Sequence, residues 1–219
     1  IDCKIFLKLL GYYLSEGCHR PKSIKVYQSS KKELVFNDIR NTFIDFGFKY
    51  SERCYREPDS YEFSIYNKKL ADFFNTHFGK LSRGKRIPVW VKSLSPELLS
   101  ILLESLMNGD GHNRSGETTK SFLYTTVSKQ LADDVQYIAF KCGYGSRLYL
   151  DQNRGGFSDN GIYRIHISKG KNSNGSFPIV RKHNITKENY KGKVWCVETS
   201  TGFFVTRRKG CCSIQGNSG

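Results

Sequence analysis

Three observations predict an α+β fold made of two similar halves within one chain of 219 residues. The first is an internal duplication. LLGYYLSEGCHR, from Leu9, lies over LLESLMNGDGHNR, from Leu102, and in both an apolar helix ends in an acid followed by Gly. The second is that the same elements follow each copy: SIKVYQSSKKELVFNDIRNTFIDFGF after the first, KSFLYTTVSKQLADDVQYIAFKCGY after the second. In each, a short alternating strand leads into an amphipathic helix that stops at Gly. The third is spacing: Gly111 follows Gly17 by 94 residues and Gly143 follows Gly47 by 96. A monomer with internal pseudo-two-fold symmetry is expected.

The first half spans about residues 5–80. Its opening helix runs to Gly17, and the strand SIKVYQS leads to a helix closed by Gly47, where a left-handed C-cap suits Gly. The strands KYSERCY and YEFSIY follow. The helix NKKLADFFNTHFG is capped by Asn67 and ended by Gly79, and a basic loop, KLSRGKRIPVWV, breaks at Pro88. The second half spans about residues 95–168. It opens with Ser95 as N-cap and Pro96 at the first helical position. After its helix, closed by Gly143, come the strands SRLYLD and IYRIHIS. No helix matching the end of the first half is seen after His166. Instead SKGKNSNGSFP reads as a linker, so the boundaries are drawn at 1–168, a linker at 169–184, a small β segment at 185–217, and 218–219 beyond it.

Each strand separates an apolar side from a polar, basic one. Ile24 and Val26 oppose Lys25, Tyr27 and Ser29; Leu148 and Leu150 oppose Arg147, Tyr149 and Asp151; Ile165 and Ile167 oppose Arg164, His166 and Ser168. With Lys22, Arg53, Tyr55 and Arg154, the open sides carry the side chains that suit base edges and phosphates. Lys and Arg number 35 against 20 Asp and Glu, a net charge of +15 spread along the chain, and such a field attracts a polyanion. No apolar run reaches the length of a membrane span and no signal-peptide pattern opens the chain. An intracellular protein is expected, in the cytoplasm of a prokaryotic or virus-infected cell or associated with the nucleoid. The seven cysteines form no CxxC pair, so reduced thiols are expected rather than a zinc knuckle or disulfide framework.

LLGYYLSEG and LESLMNGDG resemble the two motifs of LAGLIDADG homing endonucleases, and GKRIPVWVKSLSPE resembles the K-x-IP stretch of intein-borne members. The resemblance covers about residues 5–168. It implies helices packed closely at Gly11 and Ser105, and a β-saddle of αββαββα-like halves that binds double-stranded DNA. It also implies metal-dependent cleavage of both strands by one acid from each motif, Glu16 and Asp110. The backbone carbonyls of Ser15 and Gly109 aid the metal, and Lys85 polarises water or neutralises phosphate. Physical chemistry makes the same demand, because adjacent carboxylates repel. Mg²⁺, or Mn²⁺ in its place, relieves that repulsion and suits oxygen ligands. An acid at a helix C-terminus also opposes the macrodipole, and here that happens twice. The alternative is a DNA-binding remnant without cleavage.

The last segment, GKVWCVETSTGFFVTRRKGCCSIQGNSG, resembles the closing strands of an intein splicing domain. That resemblance implies cyclisation of Asn217, attack by Ser218 as the nucleophile that begins the flanking host protein, and assistance from Cys196. Gly216 stands where that family usually has His, and Gly202 stands near where a second His is usual. An N-terminal splicing segment is expected in cis or trans, as in a split intein, and splicing is not expected from this chain alone. A further alternative makes splicing the main function and the nuclease a passenger.

Overall fold

Helix α1 (Cys3–Glu16) begins where the Asp2 carboxylate accepts hydrogen bonds from the backbone N–H groups of Lys4 and Ile5, a side-chain N-cap. The computed structural model describes residues 1–56, 59–110, 112–113, 120–152, 161–169, 186–193, 195 and 197–216. After α1 come β1 (Gly17–Arg20), β2 (Ser23–Ser29), α2 (Glu33–Asp45), β3 (Tyr50–Arg56), β4 (Ser60–Tyr66) and α3 (Lys68–Phe78). Two single-turn helices, α4 (Leu81–Gly84) and α5 (Val89–Lys92), lead into the second half. That half contains α6 (Pro96–Asp110), β5 (His112–Asn113), β6 (Lys120–Thr126), α7 (Lys129–Lys141), β7 (Gly145–Asp151) and β8 (Ile162–Lys169). A hairpin of β9 (Phe203–Arg208) and β10 (Cys211–Gly216) follows. No helix among the described residues is long and apolar enough to cross a membrane.

The strand orders show the duplication. One sheet is ordered β1-β2-β4-β3, and the other repeats it as β5-β6-β8-β7 before adding β10 and β9. All pairings are antiparallel. The predicted stops are present: Gly47 and Gly143 both lie at φ +77° and Gly79 at +90°, where a side chain would be strained. Asn67 caps α3 through its side-chain oxygen, which accepts from Leu70 N–H, and Ser128 caps α7 in the same way. The linker expected at 169–184 lies outside the described residues apart from Lys169, which ends β8. The β segment beyond it is joined to the rest of the fold, since β10 pairs with β7 at Cys211 and Arg147. The six described cysteines are free thiols.

The core explains why α1 and α6 stand at the centre. Leu7, Leu9, Leu10, Tyr12, Tyr13 and Leu14 of α1 are buried, as are Leu99, Leu102, Leu103, Leu106 and Met107 of α6. A helix apolar on nearly every side must be covered on every side. The two helices approach closely because small residues face each other. A Cβ on Gly11 would lie 2.5 Å from Ser105 Cβ, and one on Gly109 would lie 2.6 Å from Ser15 Cβ. Each helix therefore delivers its last residue to the same place.

The first sheet buries a charge. Glu62 on β4 is 1% exposed and accepts hydrogen bonds from Lys25 Nζ (2.9 Å), Tyr27 OH (2.9 Å), Arg53 Nη2 (2.7 Å) and Ser64 Oγ (2.8 Å). Burial pushes its carboxyl up, but the hydrogen bonds from Lys25, Ser64, Tyr27 and Arg53 outweigh it and hold the group at about 2. One carboxylate thus ties together side chains from β2, β3 and β4.

Two stability measurements test this account. Gly11→Val is expected to cost about 2 kcal/mol in denaturant unfolding through overpacking of the α1–α6 contact, and Ser105→Gly in the same background is expected to recover part of it. An unchanged midpoint for Gly11→Val would contradict the close approach. Because the folded state lowers the Glu62 pKa, its contribution is present above the ordinary carboxylate range and disappears as pH falls toward 2. Glu62→Gln should therefore be less stable than wild type at neutral pH, by on the order of 3 kcal/mol. The gap should close between about pH 4.5 and 2 in acid-unfolding curves; a gap that does not change with pH would refute the ion-pair account.

Candidate functional site

Glu16 is the last residue of α1 and Asp110 the last of α6, so each half supplies one carboxylate at the point where the helices meet. Burial raises the Glu16 carboxyl to about 7, with Asp110 adding to the rise and Lys32 and Lys85 opposing it. The two acids thus act on each other electrostatically. Asp110 contributes in the same way to the environment of Lys85 and Tyr124.

Lys85 lies beside this pair and is buried, 7% exposed. Its ammonium donates to the carbonyls of Leu14 (2.9 Å) and Ser15 (3.3 Å), two of the end-of-helix carbonyls that α1 itself cannot satisfy. Burial lowers its pKa to about 8, with Asp110 and Glu16 pulling the other way. The segment around it is pinned to the second half. Ser128 Oγ donates to Lys85 O (2.7 Å), Ile87 N–H donates to Asp134 (2.8 Å), and Lys92 pairs with the same carboxylate (2.5 Å).

Among the described residues no group of three or more His, Cys, Asp and Glu could hold a metal ion. A cation at this centre would therefore be shared by the two acids and completed by backbone oxygens and water. The surroundings fit one. Gly109 leaves its backbone against Ser15, and a Cβ there would lie 3.4 Å from Glu16 Cγ. Fully buried Tyr124 on β6 has a hydroxyl with no hydrogen-bond partner among the described residues. Burial raises this phenol well above its ordinary range, with Asp110 and Glu16 adding to the effect. Carboxylate, carbonyl and hydroxyl donors suit Mg²⁺ with its waters better than they suit a metal that prefers thiolate or imidazole.

Tyr124 and Lys32 do not emerge from the sequence. Tyr124 sits at an apolar-face position opposite Ile165, where periodicity reads it as core. Lys32 stands at the N-terminus of α2, and only the fold brings its charge to Glu16. Alternation alone cannot separate the Tyr124 ring from an ordinary core residue.

The polar sheet faces follow the predicted register, with internal bracing that was not foreseen. In the first half Lys25, Tyr27 and Arg53 all reach Glu62, Tyr55 packs on Tyr27 with ring centroids 5.0 Å apart, and Ser29 Oγ accepts from Lys31 N–H. Lys22 lies exposed in the turn between β1 and β2. In the second half Arg147 is exposed, Tyr149 OH and His166 Nε2 are 2.8 Å apart with stacked rings, and Arg164 pairs with Asp151 at 2.9 Å. Gly216, the last residue of β10, is paired with Phe203. Arg154, Cys196, Asn217 and Ser218 lie outside the described residues.

Residues 97–174 match the LAGLIDADG-like domain family. The chain is 27% identical to a ribonucleoside-diphosphate reductase subunit beta of Aquifex aeolicus, over 90% of this chain and 26% of that protein. It is also 27% identical to a C-terminal section of a DNA-directed RNA polymerase subunit beta of Stigeoclonium helveticum (100% of this chain, 24% of that protein). A DNA polymerase of Pyrococcus horikoshii matches at 27% (91% of this chain, 14% of that protein). The chain thus spans about a quarter or less of the length of these relatives. Among solved structures it is similar to the homing endonuclease I-DmoI, with a TM-score of 0.54 and 16% identity over 75% of this chain and 88% of that one. I-DmoI in complex with DNA and Ca gives 0.53 at 15% identity, over 75% and 83%, and in complex with DNA and Mn it gives 0.54 at 15%, over 75% and 89%. The chain therefore has an α+β fold similar to that of the homing endonuclease I-DmoI, with two antiparallel sheets, and its residues 97–174 are similar to the LAGLIDADG-like domain.

Proposed function

We propose that the protein is a site-specific homing endonuclease that cuts both strands of double-stranded DNA with Mg²⁺, or Mn²⁺ in its place. The observation that carries this reading is the meeting of Glu16 and Asp110, one from each half, at the ends of α1 and α6 beside the buried Lys85. Glu16, Asp110 and the carbonyls of Ser15 and Gly109 would hold the cation, which when bound supplies the positive charge that stabilises an attacking hydroxide and a leaving alkoxide. In the overall reaction a water oxygen bonds to phosphorus while the bond from phosphorus to one sugar oxygen breaks, and that oxygen leaves with a proton. Lys85, with its lowered pKa, sits where it can neutralise phosphate or orient water. Braced tyrosines, lysines and arginines on both sheet faces hold the duplex in register. The DNA and metal complexes formed by I-DmoI support the reading, and a DNA-binding remnant without cleavage would have no need to keep both acids.

The second part of the reading concerns the setting of the nuclease. Relatives that share this segment include a reductase, an RNA polymerase and a DNA polymerase, each matched over only a fraction of its length, which is the pattern of an element inserted into unrelated hosts. We infer that this element is an intein and that the tail ending at Asn217 is its C-terminal splicing segment. Phe203, Val205 and Ile214 of the hairpin are each more than half exposed, an apolar surface suited to an N-terminal splicing segment supplied in cis or trans.

Two experiments decide between these readings. Glu16→Gln and Asp110→Asn should each reduce Mg²⁺-dependent cutting of a randomised duplex library by at least about 100-fold while leaving DNA affinity within a few-fold of wild type. Full cutting by Asp110→Asn would sink the catalytic assignment. For splicing, a reporter fused after Gly219 should be released only when an N-terminal segment is added, and Asn217→Ala should abolish release; reporter release by Asn217→Ala would exclude Asn cyclisation.

A further inference from the structure

The C-terminal hairpin carries the polar face of the second sheet beyond the four strands that the duplication accounts for. Cys211 is the residue paired with Arg147, and residues paired across antiparallel strands share a face. Cys211 is also paired with Arg208, Ser213 with Thr206 and Gln215 with Phe204. Arg208, Thr206, Ser213 and Gln215, with the half-buried Phe204, therefore lie on the side of the sheet that holds Arg147 and its partner His166. Arg207 and Cys212 lie on the other side, which is tied down next to the turn. Arg207 pairs with Asp133 of α7 at 2.6 Å, and Cys212 is buried.

The hairpin is held at a defined place by its turn. Lys209 and Gly210 both have positive φ, +48° and +76°, the left-handed pair of a two-residue turn whose twist matches the flanking strands. The Gly210 carbonyl accepts from Leu148 N–H (2.9 Å) and from the side-chain amide of buried Gln136 (2.8 Å). A Cβ on Gly210 would lie 2.8 Å from the Leu148 carbonyl carbon, so only Gly fits. Exposed Arg208 is thereby placed one residue from a turn locked against β7.

We propose that the β9–β10 hairpin is an added DNA-contacting element of the saddle, with Arg208 on a phosphate and Thr206, Ser213 and Gln215 alongside the duplex outside the part covered by the two repeated halves. This rests on the reading of the fold as a DNA-binding saddle and extends it to one flank only. The charge is of the right sign, the face is continuous with the one that carries Arg147, and among the described residues the docking contacts lie on the opposite side.

The test measures affinity for a random-sequence duplex of about 40 base pairs, several helical turns, at salt concentrations from about 50 to 200 mM. One phosphate contact adds about 0.9 to the slope of log affinity against log salt. Arg208→Gln should therefore flatten the slope by about one, so that its deficit relative to wild type shrinks about three- to four-fold across that range. Gly210→Val, which undocks the turn, should flatten the slope similarly, and adding Arg208→Gln to it should change little more. An unchanged slope for Arg208→Gln, or a full additive effect of the two substitutions, overturns the proposal while leaving the saddle reading intact. Failure of wild type to bind the duplex overturns both.

Discussion

The close approach of α1 and α6 is the constraint from which the rest of the structure follows. Two helices that are apolar on nearly every side can share a core in many ways, but only small residues at the crossing let their backbones touch. Gly11 against Ser105 and Gly109 against Ser15 provide such a crossing. Once it forms, the last residue of each helix is fixed relative to the other, and those residues are Glu16 and Asp110. The negative end of each helix dipole then meets two carboxylates, an arrangement unfavourable on its own. The structure answers it with Lys85, whose ammonium takes the terminal carbonyls of α1 while its charge acts on both acids.

Lys85 belongs to neither repeat. It sits in the segment that joins the halves, and its backbone carbonyl, the Ile87 N–H and the Lys92 ammonium are all held by residues of α7, through Ser128 and Asp134. Asp134 is 2% exposed, so its charge is worth keeping only if several donors meet it, and here Ile87, Lys92 and Gln130 all do. The joining segment therefore does more than span a gap. It orients one cation from the second half onto the end of the first half's helix, which makes the acid pair dependent on both halves being docked.

Most of the elements were legible because their signals are local. Gly47, Gly79 and Gly143 end helices, Asn67 begins one, and alternation assigned Lys25, Tyr27, Arg164 and His166 to one side of their strands, all from neighbours within a few residues. The motif acids were legible because they occur twice at matching places. The features that escaped depend on pairing across long separations. Glu62 stands in a strand pattern that marks it only as polar; its role as a buried anchor for Lys25 and Arg53 exists only once β2, β3 and β4 are in register. Tyr124 reads as core for the same reason, and nothing in the tail's own sequence states that Gly210 will lie against Leu148.

The registers also show how far the halves have diverged. Cys18 pairs with Lys25 where His112 pairs with Leu123, which aligns Val26 with Tyr124. On the central strands the Tyr27–Glu62 pair occupies the place of Thr125–Arg164, and Arg53 opposite Glu62 corresponds to Tyr149 opposite Arg164. The backbone is repeated, but the charge at the centre of each polar face is reversed: an anion braced by two cations in one half, a cation braced by Asp151 in the other. A symmetric pair of identical subunits could not present two such faces. Joining the halves in one chain permits it, so a partner lying across both sheets meets a different pattern of donors and acceptors on each side of the acid pair. The hairpin on β7 adds to that difference, since among the described residues no strand occupies the equivalent edge at β3. The surface is therefore asymmetric around a nearly symmetric centre, with one carboxylate from each half at the end of α1 and α6.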